Sequence, residues 1–135
     1  MKKDVVAGLG EIGKPILKLL SQNNIAVGFD LNHDLMDEIK FEKYKNFETS
    51  FLHIAIPITD KFINNVLNLF KKFQPECIVI HSTIRPGTTE KLQKKLMIPV
   101  IYSATRGIHK RMIYDLKRYT KFFVISANAP RSKWA

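Results

Sequence analysis

The stretch GLGEIG, from Gly8 to Gly13, directly follows the apolar run Val5-Val6-Ala7. That run predicts a strand over Lys2 to Ala7, and apolar residues with helical spacing continue beyond the glycines. Pro15 is compatible with such a helix because it falls in the first turn, where its missing N–H has no intrahelical partner. The stretch is therefore predicted to join a strand to a helix through a glycine turn.

This turn has the G-x-G-x-x-G spacing of dinucleotide-binding sites, in the strand-to-helix context that the mechanism requires. Gly8 would allow a tight turn, Gly10 would let a pyrophosphate approach the backbone, and Gly13 would let the helix pack closely on the strand. The helix N-terminus would then present N–H groups and a partial positive charge. The predicted cofactor-binding residues of the turn are Gly8, Gly10, Glu11, Ile12 and Gly13.

An acidic residue, Asp30, ends the second predicted strand (Ile25 to Asp30), 20 residues after Gly10. At this spacing a carboxylate receives the hydroxyls of the adenosine ribose. It would also repel a 2′-phosphate, so the predicted cofactor is NAD rather than NADP. The alternative is a glycine turn followed by an unrelated acid.

The rest of the chain alternates apolar runs with helical patterns. Further strands are predicted at Phe51 to Ile58, Cys77 to His81, Pro99 to Ser103 and Lys121 to Ser126. Helical stretches are predicted at Leu31 to Lys40, from Asp60 as a cap through Phe73, after Pro86-Gly87, and at Lys110 to Tyr119. Strands with continuous apolar runs are buried on both faces, which is typical of parallel sheets. We therefore predict a single Rossmann domain over residues 1–135, with a doubly wound parallel sheet in a three-layer α/β/α arrangement.

The composition sets the broad class of the protein. A chain of 135 residues with 45% hydrophobic and 25% charged residues is an ordinary globular domain, not a collagen-like, disordered or coiled-coil one. The single cysteine, Cys77, excludes an internal disulfide and favours the cytoplasm. Gly8, Gly10 and Glu11 interrupt the N-terminal apolar stretch, so no signal peptide is expected. No uncharged apolar run reaches the roughly 20 residues that a membrane span needs.

The positive charge is concentrated near the C-terminus. The net charge is +10, and the segment from Arg106 onward carries eight cations against one anion. Such a run forms a solvated helix face, holds an anionic small molecule or contacts nucleic-acid phosphates. No aromatic platform or reader motif accompanies it, so nucleic-acid binding is not expected. An anionic ligand such as a nucleotide sugar would lie near Arg106, Lys110 and Arg111.

The four histidines show no metal-ligand spacing, and we expect no metal site. His53 and His81 fall in or at the end of predicted strands. His109 is either an acid/base group near the crevice or a solvated loop histidine.

The segment Ser82-Thr83-Ile84-Arg85-Pro86-Gly87-Thr88-Thr89-Glu90-Lys91-Leu92 resembles the S-T-x-x-P-G-T-T-E-x-L signature of the UDP-glucose/GDP-mannose (nucleotide-sugar) dehydrogenase family. Ala55-Ile56-Pro57 resembles the A-V-P of that family. The resemblance implies an NAD-binding N-terminal domain of an enzyme that oxidises a sugar 6-hydroxyl to a carboxylate in two hydride transfers. It also implies that Pro57, Ser82 and Thr83 line the nicotinamide side, with Thr83 near the reaction centre.

The chain also departs from that family. Ala104 and Thr105 stand at or near the positions of the proline and glutamate in the S-P-E-type motif. The nucleophilic cysteine and the lysine of the family belong to later domains that are expected to be absent here. Cys77 is predicted to be a buried core thiol, so the second oxidation lacks a covalent route.

Three interpretations of the function remain open. The first is an NAD(H)-binding domain of the dehydrogenase type. It is incomplete for catalysis alone unless another chain, a homodimer partner or residues of the basic C-terminal segment complete the site. The second is a non-catalytic NAD(H)-binding sensor or regulatory module. The third is a basic scaffold that has kept the fold and lost the cofactor.

Overall fold

A computed structural model describes residues 1–103 and 124–125 of the chain. Its strands are, in chain order, β1 (Lys2–Ala7), β2 (Ala26–Phe29), β3 (Glu48–Ile54), β4 (Cys77–Ile80), β5 (Val100–Tyr102) and β6 (Val124–Ile125). Its helices are α1 (Gly13–Leu20), α2 (Glu38–Lys43), α3 (Phe62–Phe73) and α4 (Thr88–Lys95), with a turn of 3-10 helix at His33–Leu35. The predicted alternation of strands and helices is confirmed over this part of the chain.

The strands form one sheet in the order β2-β1-β3-β4-β5-β6. The first five of these are parallel, which confirms the Rossmann-like sheet. The last strand, β6, pairs antiparallel with β5. The prediction of a fully parallel sheet is therefore wrong at this edge. Val124 and Ile125 are the described part of the predicted strand Lys121 to Ser126. The predicted basic helix at Lys110 to Tyr119 lies outside the described residues.

Helices cover both faces of the sheet. Val5 and Val6 are adjacent and fully buried, and because side chains alternate along a strand they point to opposite faces. Val5 belongs to a core cluster that contains Val66 of α3 and Leu92 of α4. Val6 packs instead with Ile16 of α1. The three layers predicted from the apolar runs are thus present.

The third strand begins and ends earlier than its apolar run predicts. The prediction was Phe51 to Ile58, whereas β3 is Glu48–Ile54. Its polar start belongs to the sheet because Glu48 and Thr49 pair with β1. The chain leaves the sheet after Ile54, where the N–H of Ala55 makes a hydrogen bond of 2.8 Å to the carbonyl of Ala7. The segment from Ala55 to Ile58 therefore forms a loop at the carboxyl edge of the sheet.

The helical prediction for Leu31 to Lys40 is confirmed in part. A 3-10 turn forms at His33–Leu35, Met36 then takes an extended conformation, and an α-helix starts only at Glu38. The helix α2 begins after Asp37, whose side chain accepts a hydrogen bond of 3.1 Å from the N–H of Lys40. Local capping by a short acidic side chain outweighed the weak apolar spacing of this region.

The longest described helix is α3, with 12 residues. Its cap position is Lys61, not the predicted Asp60, and the hydroxyl of Thr59 accepts a hydrogen bond of 3.2 Å from the N–H of Lys61. The helix ends at Gln74, which adopts a left-handed conformation (φ 50°) that closes the last turn. None of the helices in the described ranges is long and apolar enough to cross a bilayer.

Candidate functional site

The strand order places a crevice at the carboxyl ends of β1 and β3. The chain moves from β1 to β2 on one side and then returns to place β3 on the other side of β1. The parallel strands thus have the order 2-1-3-4-5 of a doubly wound sheet, and such sheets bind ligands where the order reverses. The loops that meet at this edge begin with Gly8, Asp30, Ala55 and His81.

The three glycines of the turn have different environments. Gly8 has φ +96°, and a Cβ there would lie 2.6 Å from the carbonyl oxygen of Ala55. A Cβ on Gly13 would lie 1.6 Å from the carbonyl oxygen of Gly8. A Cβ on Gly10 would meet no atom within 4 Å, and Gly10 is exposed. Gly8 and Gly13 are therefore required by the fold itself, whereas the open space at Gly10 is available to a ligand.

The helix that follows the turn starts without a side-chain cap among the described residues. Its cap position is Ile12, its first turn contains no acidic residue, and the exposed Glu11 comes before it. The N–H of Lys14 makes a hydrogen bond of 3.1 Å to the carbonyl of Gly10. The positive end of the α1 dipole is thus directed to the turn that contains Gly10.

The carboxylate of Asp30 holds this turn in place. One of its oxygens accepts a hydrogen bond of 2.8 Å from the N–H of Leu9, and the other accepts one of 2.8 Å from the N–H of Asn32. Asp30 is half-buried at the end of β2, as predicted. The role of Asp30 at a ribose stays a prediction. Its structural role could not be recognised from the sequence, because the contact with Leu9 joins two separate strand ends.

A cleft of about 590 Å³ opens beside this carboxylate. Gly8, Asp30 and Leu31 line it from the ends of β1 and β2, Pro57 lines it from the loop after β3, and one side of α3 forms the remaining wall. The first glycine of the turn and the carboxylate therefore both border this cleft.

The three residues that the resemblance placed near a nicotinamide lie at the same edge. Pro57 and Thr83 are exposed. Ser82 is buried, and its hydroxyl donates a hydrogen bond of 2.7 Å to the carbonyl of Ile56. Ser82 thereby joins the end of β4 to the loop that carries Pro57. Of the two hydroxyl-bearing residues after β4, Thr83 is the exposed one.

A second cleft, of about 530 Å³, lies at the opposite edge of the sheet, where Lys3, Phe47 and Glu48 line it. The ammonium group of Lys3 donates hydrogen bonds to the carbonyls of Lys45 and Phe47. Burial lowers the pKa of Lys3. The Lys3 ammonium group is thus used in hydrogen bonds within the fold. This cleft lies at the amino ends of β1 and β3, whereas the glycine turn follows the carboxyl end of β1.

Two buried histidines contact each other in the sheet. The Nδ1 of His53 lies 2.8 Å from the Nε2 of His81, and their rings stack with centroids 5.1 Å apart. Such a hydrogen bond needs one ring to donate and the other to accept, so neutral rings suit it. Burial lowers the pKa of His53 to about 4, and burial together with the neighbouring His53 lowers the pKa of His81 well below its usual value. Sequence reasoning placed both residues at strands but could not reveal the pair.

The pair predicts acid-sensitive folding. An unfolded histidine titrates near its ordinary value, so the unfolded chain binds protons first as the pH falls from about 6.5 towards 4. Stability is then lost over this interval, by about 3 kcal/mol for His53. We expect urea unfolding at pH 7 and pH 4.5 to show the loss.

Burial raises the pKa of Asp4, so protonation of Asp4 at low pH favours the folded chain and opposes the effect of the histidines. The contribution of the histidine pair is therefore measured by comparing variants. His53→Gln is expected to reduce the pH dependence relative to the unmodified chain. An equal pH dependence in the two proteins would contradict the assignment.

The thiol of Cys77 is in the core of the sheet, as predicted. It is fully buried in β4, and burial raises its pKa to about 12. The nucleophilic form of cysteine is the thiolate, so this residue is inert near neutral pH.

The predicted anion-binding residues Arg106, Lys110 and Arg111 lie outside the described residues, as do Ala104, Thr105 and His109. Within residues 1–103 and 124–125, no group of three or more His, Cys, Asp or Glu side chains is placed to hold a metal ion. No model of a known protein family matches the chain, and no curated protein is detectably similar to it.

Proposed function

We propose that this chain binds NAD(H) in the crevice at the carboxyl ends of β1, β2 and β3, as an oxidoreductase-type domain resembling the nucleotide-sugar dehydrogenases. The observation that carries the proposal is the contrast within the glycine turn. Backbone atoms crowd Gly8 and Gly13, but no atom lies within 4 Å of a Cβ built on Gly10. The fold does not need a glycine at that position, whereas close approach of a pyrophosphate does.

Each part of the dinucleotide has matching residues. The turn from Gly8 to Gly13 and the start of α1 would hold the pyrophosphate through backbone N–H groups. Asp30 would accept hydrogen bonds from the ribose hydroxyls with lone pairs that Leu9 and Asn32 do not use. Pro57, Ser82 and Thr83 would border the nicotinamide end.

The bound cofactor would supply a hydride acceptor, and the chain would position it. Thr83 is exposed, and its hydroxyl would orient a substrate by a hydrogen bond. Ser82 acts indirectly, because its bond to Ile56 sets the position of the loop that carries Pro57. Arg106, Lys110 and Arg111 would hold an anionic substrate such as a nucleotide sugar, and a homodimer partner would complete the site. With one free cysteine, a cytoplasmic location suits this function.

The second candidate is a non-catalytic NAD(H)-binding sensor or regulatory module, and Cys77 favours it. The resemblance implies a thiol that carries the aldehyde through the second oxidation, but the only cysteine of the chain is buried and has a pKa of about 12. Such a module would use the same turn and carboxylate and would transfer no hydride.

The test is calorimetric titration of the purified chain with NAD⁺, NADH and NADPH, each with and without UDP-glucose. NAD(H) binding that the nucleotide sugar strengthens would support the dehydrogenase-type function. NAD(H) binding with no response to the sugar would favour the sensor. No binding of any dinucleotide would contradict the proposal and leave a basic scaffold with the fold alone.

Asp30 makes a sharper prediction about cofactor choice. Asp30→Asn keeps the size of the side chain and removes the charge that would accept ribose hydroxyls and repel a 2′-phosphate. It also leaves one oxygen in place of the two that accept the N–H groups of Leu9 and Asn32. We expect NAD⁺ affinity to fall about tenfold and the preference for NAD⁺ over NADP⁺ to shrink, because a hydrogen bond to a charged group contributes about 1.5–3 kcal/mol. Calorimetry with both cofactors measures the change.

Asp30→Ala is the companion variant that measures the structural role of the carboxylate. It leaves the N–H groups of Leu9 and Asn32 without their acceptor, so stability should fall by about 1–3 kcal/mol. If Asp30→Asn binds both cofactors as the unmodified chain does, the ribose assignment is wrong and only the structural role remains.

A further inference from the structure

Two asparagines of α3 form part of the wall of the cleft beside Asp30. Asn65 and Asn68 line the cleft together with Leu69 and Lys72. Residues three and four apart share one face of a helix, so these side chains form a single stripe along α3. Asn64 is exposed on the same helix but does not line the cleft. The cleft wall therefore carries amide groups at defined positions.

Apolar groups face the same space. Leu31, directly after Asp30, lines the cleft although it is 89% exposed, and Leu69 lines it from α3. An exposed leucine at the mouth of a cleft gains free energy when a ligand covers it. The cleft thus combines apolar side chains with a row of amides, an arrangement that suits a flat heterocycle with polar edges.

We propose that Asn65 and Asn68 select the base of the nucleotide by hydrogen bonding to the edge of an adenine ring that contacts Leu31 and Leu69. The inference rests on the proposed binding of NAD(H) and adds to it the residues that recognise the base. An asparagine amide offers one donor and one acceptor side by side, which matches a ring nitrogen next to the 6-amino group of adenine.

The charges around the cleft agree with a neutral base. Asp30 and Lys72 are the charged side chains that line it in the described part of the chain. Asp30 is engaged at the ribose end, and the ammonium group of Lys72 lies 5.2 Å from the centroid of the Phe29 ring. The two asparagines add neutral donors and acceptors to the same cleft wall.

The experiment compares NAD⁺ with its etheno-adenine analogue, in which a bridge blocks both the ring nitrogen and the amino group. Calorimetry with the full chain gives the affinity of each dinucleotide. We expect the unmodified chain to prefer NAD⁺ by about tenfold, the lower part of the range for a good amide-to-adenine pair. The double variant Asn65→Ala/Asn68→Ala should lose about tenfold in NAD⁺ affinity and bind the analogue at least as well as before. The preference should then disappear.

Asn64→Ala is the matched control, since it removes an amide from the same helix outside the cleft, and it should keep the tenfold preference. A double variant that still prefers NAD⁺ by tenfold would overturn the inference, because a preference due to the size of the bridge persists without the amides. An unmodified chain that binds both dinucleotides equally would overturn it too, while the proposed function would stand. An unmodified chain that binds neither dinucleotide would overturn the proposed function and this inference together.

Discussion

Replacing Gly10 with valine should abolish most NAD⁺ binding and leave the fold intact. The valine side chain would enter the open space in which a pyrophosphate would approach the backbone, so we expect affinity to fall by about 30-fold or more, equivalent to about 2 kcal/mol. The fold should tolerate the change, because Gly10 is exposed and a Cβ there meets no atom within 4 Å. Gly10 also lacks the positive φ of Gly8, so a side chain adds no such backbone strain.

Calorimetry measures the loss of affinity, and thermal unfolding checks that the midpoint is unchanged. Gly10→Ala serves as a graded companion, with a smaller loss expected from its single added carbon. If Gly10→Val binds NAD⁺ as well as the unmodified chain, no ligand approaches the backbone at this turn. The proposed site would then be wrong even if the chain bound NAD⁺ elsewhere.

Gly13→Ala should cause a large loss of stability, in contrast to the unchanged stability expected for Gly10→Val. Its Cβ would lie 1.6 Å from the carbonyl oxygen of Gly8, and neither backbone segment can move without separating α1 from β1. We expect the free energy of unfolding to fall by about 3 kcal/mol, at the upper end of the usual cost of overpacking. For a domain of this size the melting temperature would drop by about 10 °C.

Urea unfolding of Gly13→Ala, with Gly10→Ala as the control, separates the two roles of glycine in one turn. The control should unfold within about 0.5 kcal/mol of the unmodified chain, as expected for a surface change. Equal stability of the two variants would mean that α1 does not pack against the turn as closely as the structure indicates.

The alternation of strands and helices could be predicted because each buried strand keeps its apolar run. Five parallel strands form where such runs were found, and Asp30 follows the second of them. Strand ends were less predictable. Glu48 and Thr49 are polar residues that join β3 because β1 provides partners, and Ala55 leaves the sheet to pass over Gly8. Such boundaries depend on neighbouring strands rather than on local composition.

The candidate site likewise has parts that the sequence predicts and parts that it does not. The glycine spacing and the acid after β2 could be recognised from the sequence, because the chemistry of a pyrophosphate and a ribose requires those residue types at that spacing. The bond from the N–H of Leu9 to Asp30 could not be recognised, and neither could the pair of His53 and His81. Each joins residues more than twenty positions apart, and no periodicity records such a contact.

The class of the fold and its glycine turn can be predicted from residue types along the chain, because strands buried on both faces and tight turns each restrict which residues can occur there. The tertiary structure alone decided the strand order, the antiparallel direction of β6 and the cleft between Leu31 and α3. It also decided that Gly8 and Gly13 serve packing while Gly10 stays open. The physical reason is that pairing and close packing are properties of surfaces that meet only after the chain has folded.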